Sequence, residues 1–412
     1  MEYNFYFDES FHDRKMTLCA NGRANTMQDA ALDSYVGVFW GCRQKDIYQN
    51  KALISDFEEK EKLLFGLKPT QELKSSIIPI SQYKYGIRSL NKNAKKFTTD
   101  LFKMLDKIVP FLQINVVSKF ELLWRSIFDS VVFPININSN LFFYSLTKFT
   151  IEYRPRALIS AIFDESSSTK TVVDVLKATL NEIVDKSKSV VRKERETEAF
   201  MQIIYIVDHY VDLLQIKEKY KFSYAPNFEG FLRLLKELSI DSRKCKLVID
   251  RDEKTYLTAR NLPFRCVRQA DSVNSLQLHL ADYIGGFVGR MMYCLSHDSN
   301  TIESEYLSDG LNDIDFERKR LLSSDWFNLS EQDYNLYLLI YKTIIVDHQH
   351  YWTTLTLSYC DQIVRLYSLL RYIASYSSYS DFCNTSKEMH SEYYNSACCR
   401  ELDDYYKSTW KE

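Results

Sequence analysis

The chain has 412 residues, of which 26% are charged, and a formal net charge of −2. That balance excludes a protein held to nucleic acid by bulk positive charge and leaves room only for a local basic groove. Glycine is scarce, with 10 residues against the usual ~7%, and the nucleotide-binding glycine loops and the G-x-S-x-G elbow are missing.

Residues 3–8 alternate Tyr3, Phe5 and Phe7 with Asn4, Tyr6 and Asp8, which is the period of a strand. Residues 35–42 read as a second strand and 76–80 as a short third, with a charged helix over 57–64 between them. From about residue 93 to 240, spaced apolar positions predict helices over 97–109, 141–152, 171–186, 198–214 and 228–238. Two strands, 113–117 and 157–163, are expected inside that region. Strand character returns at 245–250 and 264–268, followed by a helix over 276–293. Residues 300–412 read as helical and rich in tyrosine, most clearly over 334–346 and 353–375. The expected organisation is an α/β core in two parts, 1–90 and 244–295. A mostly helical insertion, 91–243, separates them, and a helical C-terminal region, 296–412, follows.

The acids that end or interrupt apolar runs carry the functional signal. Asp8 closes the first strand and Asp250 closes Lys246-Leu247-Val248-Ile249-Asp250. Asp282 shares a helix stripe with Leu278, Ala281, Gly285 and Val288. A carboxylate on such a face needs a specific partner, and Gly285 and Gly286 suit a close backbone or ligand approach. Glu72 and Lys74, two apart, share a face if extended. Several carboxylates meeting at one sheet edge would hold paired divalent cations, Mg or Mn, which activate water and stabilise a leaving oxygen in phosphodiester cleavage.

Phe7-Asp8-Glu9-Ser10, Glu72-Leu73-Lys74, Val248-Ile249-Asp250 and the run Leu276-Gln277-Leu278-His279-Leu280-Ala281-Asp282-Tyr283-Ile284-Gly285-Gly286 resemble the domain-of-unknown-function 3800 family. The resemblance covers residues 1–90 and 244–294, about a third of the chain. It implies a ribonuclease H-like mixed sheet and a metal-dependent nuclease with Asp8, Glu72, Asp250 and Asp282 as ligands. It also implies a setting in phage defence or a mobile element. The family's usual Asp-Glu-Ser-Gly is here Asp-Glu-Ser-Phe, so the turn after Ser10 lacks its glycine.

Each signal has a structural alternative. Asp8 suits a turn after a strand, and Asp282 a salt bridge to an arginine such as Arg265. Asp252 and Asp271 suit the starts of helices. The second Phe-Asp-Glu-Ser, at 163–166, reads as part of a helix start. His279 reads as a packed histidine, and His348 and His350 as structural. Lys84, Arg88, Lys92, Lys95 and Lys96, mixed with Tyr83 and Tyr85, are candidate nucleic-acid contacts, whereas the basic run 186–195 reads as a solvated face. Lys74 would orient the scissile phosphate.

Two rival readings remain open. One is a PD-D/ExK nuclease centred on Glu72 and Lys74. The other is a non-catalytic interaction or sensor protein that meets a partner, or its own copy, through the insertion or the C-terminal helices. Nine scattered cysteines without metal spacing read as reduced thiols. The opening Met-Glu-Tyr-Asn is unlike a leader, and no apolar run reaches bilayer length, so a cytoplasmic location without a membrane partner is expected.

Overall fold

The computed structural model describes all residues except 12–14, 28–31, 109, 130, 165, 211–221, 309–318, 349–356 and 410–412. Two strands, β1 (Tyr3–Ser10) and β2 (Ser34–Arg43), open the chain, followed by α1 (Ile47–Leu64), α2 (Lys92–Ile108) and β3 (Phe111–Ser118). Helices α3 (Lys119–Ile127), α4 (Ser139–Tyr153), α5 (Arg156–Phe163), α6 (Thr169–Ser187), α7 (Glu194–Tyr210) and α8 (Ala225–Glu237) come next. Then come β4 (Cys245–Asp250), α9 (Glu253–Arg260), β5 (Cys266–Ala270) and the long α10 (Leu276–Ser308). The chain closes with α11 (Glu331–Tyr341), α12 (Asp361–Ala374), α13 (Tyr379–Cys383) and α14 (Lys387–Thr409).

The strands form one mixed sheet in the order β3-β2-β1-β4-β5. β1 pairs antiparallel with β2 and β2 with β3, while β1–β4 and β4–β5 are parallel, so β2 alone runs against the other four. Alternation along β1 divides its side chains between two cores. Phe5 and Phe7 pack with Phe39 of β2 and with Phe228 and Phe231 of α8. On the opposite face Tyr6 stacks on Trp40 at 4.9 Å between centroids, and Trp40 Nε1 donates to the Gln277 carbonyl of α10 at 2.6 Å. Helix α10 is therefore fastened directly against the sheet centre, on the face to which Asp8 also points.

Several expectations are corrected. Residues 76–80 form 3-10 turns (Ser75–Ile77 and Ile80–Tyr83) rather than a strand, because the Ser75 N–H is taken by Asp282 and not by a neighbouring strand. Residues 157–163 lie in helix α5; their apolar run is too continuous for periodicity to decide, and Pro155 sits where a helix starts. The helix expected over 57–64 begins ten residues earlier, at Ile47. The expected insertion boundary also moves. β3 is a sheet strand, and α2 packs in the same core as α10, so the inserted helices begin after Ser118. These helices, α3–α7, have a core of their own around Trp124, Phe149, Leu176 and Phe200. The C-terminal helices join the main core through Trp326, Tyr337, Ile363 and Tyr367. They hold the insertion by Glu121, whose two oxygens accept the N–H groups of Ser358 and Tyr359 at 2.8 Å each. The expected helix ends at 109 and 214, the start at 353, Glu165 and His350 fall outside the described residues.

Candidate functional site

The parallel register of β1 and β4 ends with Phe7 opposite Ile249, so Asp8 and Asp250 follow side by side, about one strand spacing (~4.8 Å) apart along the backbone. Both point to the face that α10 covers. From Leu278 to Met292 every residue of α10 is buried except Asp282, which is half-buried. Within that stretch Asp282 is thus the one position that reaches toward solvent. Burial and the charges of Glu9, Asp282 and Asp250 push the Asp8 carboxyl well above the usual carboxylate range. The three acids therefore share one neighbourhood, and none of them forms an ion pair among the described residues. The Arg265 alternative for Asp282 fails because Arg265 pairs with Glu2, at the other end of the sheet.

Each carboxylate is held by backbone or hydroxyl donors. Asp8 Oδ1 accepts the Glu9 N–H at 2.8 Å, and Asp250 Oδ1 accepts the N–H groups of Arg251 at 2.7 Å and Ser272 at 3.3 Å. Asp282 is gripped twice by Ser75, whose N–H donates to Oδ2 at 2.7 Å and whose hydroxyl donates to Oδ1 at 2.8 Å. Among the described residues no three Asp, Glu, His or Cys side chains are gathered as a ready-made metal cage. The donor set is nonetheless all hard oxygen, the kind that suits Mg²⁺ or Mn²⁺.

Glu72 and Lys74 flank the buried Leu73 in extended backbone and form an ion pair at 3.2 Å. The Glu72 carboxylate, with smaller contributions from Asp282 and Asp250, raises the Lys74 ammonium above its ordinary value. His279 ties Glu72 into the same neighbourhood. Its Nδ1 meets Glu58 Oε1 at 2.5 Å, its Nε2 meets the Ser272 carbonyl at 2.6 Å, and Glu72 Oε1 lies 3.5 Å from Nε2. Both ring nitrogens face acceptors, an arrangement that favours the doubly donating, protonated ring. Burial opposes that charge, but the Glu58 carboxylate outweighs it and the histidine titrates above its ordinary value. Tyr283 donates to the same Glu58 oxygen at 2.8 Å. Ser75, Glu58 and the bridging role of His279 were not visible in the sequence; the only hint was the i, i+3 spacing of His279 and Asp282.

No family model matches the chain, and neither a curated protein nor a solved structure does.

Most of the basic residues expected to contact nucleic acid have partners within the fold. Lys84 sits over the Tyr85 ring and feels Asp298 and Asp325, and Asp298 is ~24 Å along α10 from Asp282. Arg88 donates to the Asn328 carbonyl at 3.0 Å, Lys95 pairs with Asp333 at 2.6 Å and Lys96 with Asp100 at 2.9 Å. Only Lys92 stands exposed with no such partner. Asp252 caps α9 as expected, and Ser168 caps α6 beyond the second Phe-Asp-Glu-Ser. Asp271 caps the 3-10 turn just before α10. Phe11 adopts φ 59°, and its ring lies where a side chain at Gly289 would be. No helix of the described residues is long and apolar enough to cross a membrane.

Proposed function

We propose that the chain is a metal-dependent nuclease on a ribonuclease H-like fold, cleaving phosphodiesters of DNA or RNA. The observation that carries this reading is the Asp8–Asp250–Asp282 neighbourhood. Three carboxylates from two adjacent parallel strands and the helix behind them have no ion-pair partner among the described residues, and burial together with their mutual repulsion disfavours the charged form of Asp8, a cost that a bound divalent cation would offset. The sheet order, with β2 alone reversed, supports the same fold reading. The resemblance to the domain-of-unknown-function 3800 family supports it too, and carries with it a phage-defence or mobile-element setting in the cytoplasm.

Asp8, Asp250 and Asp282 would hold Mg²⁺ or Mn²⁺, with Glu72 beside them. When bound, such ions lower the pKa of a water and stabilise a departing oxygen. The chain's own residues do the rest. Ser75 fixes the rotamer of Asp282, and His279 holds Glu72 and the Ser272 turn in place. Lys74, more than half exposed at the rim, steadies the scissile phosphate. Substrate contacts beyond the rim are not assigned to Arg88, Lys95 or Lys96, whose donors are engaged in the fold.

The test is degradation of a DNA and RNA panel with Mn²⁺, wild type beside Asp8→Asn and Asp282→Asn. Manganese-dependent cleavage lost in both variants is expected; cleavage that survives both substitutions sinks the reading. The Glu72–Lys74 ion pair favours one rival, a PD-D/ExK nuclease. That rival predicts Lys74→Met inactive and Asp282→Asn active. A non-catalytic sensor predicts no cleavage by any form and no manganese-induced rise in melting temperature.

A further inference from the structure

Arg290 is nine-tenths buried on α10, yet it forms no hydrogen bond or ion pair within the described structure. Two other partly or fully enclosed guanidiniums each have a carboxylate partner: Arg125 pairs with Glu121 at 2.8 Å and Arg365 with Glu152 at 3.0 Å, although Arg365 Nε has no partner of its own. A side chain at 290 leans back toward the start of its helix, and here it reaches over Gly286, one turn earlier. A Cβ at Gly286 would stand 2.5 Å from Arg290 Nη1 and 2.5 Å from Ser75 Cβ, and closer still to Ser75 Oγ. The missing methyl thus makes the gap in which the guanidinium and the Ser75 hydroxyl sit together, and that hydroxyl donates to Asp282. The nitrogens of Arg290 are not sealed from solvent. Its neighbours are the Tyr83 ring, which is buried, and the charge of Asp282, which lies beyond ion-pair distance.

We infer that Arg290 is an anion seat at the floor of the acid site, built to receive a phosphate oxygen of a nucleic-acid strand. A planar guanidinium with free donors takes a phosphate in bidentate fashion. A phosphate seated on it would lie beside Ser75 and near Asp282, whose charge Asp8 also feels. The inference rests on the nuclease reading for the identity of the anion, but the seat itself needs no divalent cation.

The experiment measures the affinity of a labelled single-stranded oligonucleotide in EDTA, competed with inorganic phosphate, for wild type, Arg290→Gln and Arg290→Lys. Thermal unfolding of each is recorded. Wild type should bind and be displaced by phosphate, and each variant should bind about tenfold more weakly. Arg290→Gln should melt no lower than wild type, since it loses a buried charge that has no partner. Arg290→Lys keeps the charge but not the fork, and so still reports if the glutamine variant does not fold. Equal affinity in a folded variant overturns the inference, as does absence of wild-type binding in EDTA. Loss of binding in the variants of a protein that cleaves nothing with Mn²⁺ would leave the seat standing and remove the nuclease reading instead.

Discussion

Alanine at the paired glycines of α10 separates a helix that tolerates side chains from a site that does not. Glycine to alanine inside a helix gains ~1 kcal/mol of helix propensity at either position. At Gly285 the new Cβ would lie 3.2 Å from Ser10 Oγ and 3.4 Å from Val38 Cγ2, a tight contact that a small shift relieves. At Gly286 it would lie 2.5 Å from Ser75 Cβ and from Arg290 Nη1. The arginine tip can swing away. Ser75 cannot, because its N–H and hydroxyl both hold Asp282 and its segment is pinned by the buried Leu73. Overpacking of this kind costs ~1–3 kcal/mol, and losing the two Ser75 bonds adds ~1 kcal/mol each. Gly285→Ala should therefore sit within ~1 kcal/mol of wild type in urea unfolding, and Gly286→Ala roughly 2–4 kcal/mol below it. Manganese-induced stabilisation should fall only in the second variant. A Gly286→Ala protein as stable as Gly285→Ala would refute the account of Ser75 as a fixed clamp.

Three further outcomes follow from buried charges. Asp33 is enclosed and its carboxyl is pushed up to about 6 by burial, which the nearby Arg154 and Lys119 only partly offset. The folded state then binds a proton that the unfolded state has released, so stability should fall by up to ~3 kcal/mol as pH rises from ~4 to ~6. Asp33→Asn should flatten that slope, read by urea titration across the window. The raised titration of His279 has the same sign. Its contribution is complete below the ordinary histidine pKa and is lost as pH rises through the folded value, so His279→Phe should lose stability chiefly at low pH, measured by melting across a pH series. Glu121→Ala removes the acceptor of two buried N–H groups and the partner of Arg125. It should cost ~3–5 kcal/mol and speed proteolysis between the inserted helices and the C-terminal ones.

The carboxylates were legible in the sequence because each sits where a short-range pattern ends. Asp8 and Asp250 close apolar strand runs, and Asp282 breaks a buried helix. Their clamps were not legible. Ser75 reaches Asp282 across 207 positions, and that meeting depends on how a turn-rich segment crosses α10, which no local period encodes. The five basic residues after Tyr83 show the opposite failure. Composition suggested a cationic path, but acids remote in sequence, Asp333 for Lys95 among them, neutralise part of it. At 157–163 the apolar run carried no period at all, and tertiary packing around Leu158, Ile159 and Ile162 chose the helix.

β1 lies mid-sheet, yet its second neighbour, β4, is encoded at 245–250. While the ribosome is still making the inserted helices, Tyr3–Phe7 has one bare flank of peptide groups bordered by aromatic rings. Such an open edge invites pairing with other chains. Products truncated ahead of Cys245 should accordingly aggregate, and a chaperone that shields this flank during synthesis would raise the yield of full-length chain.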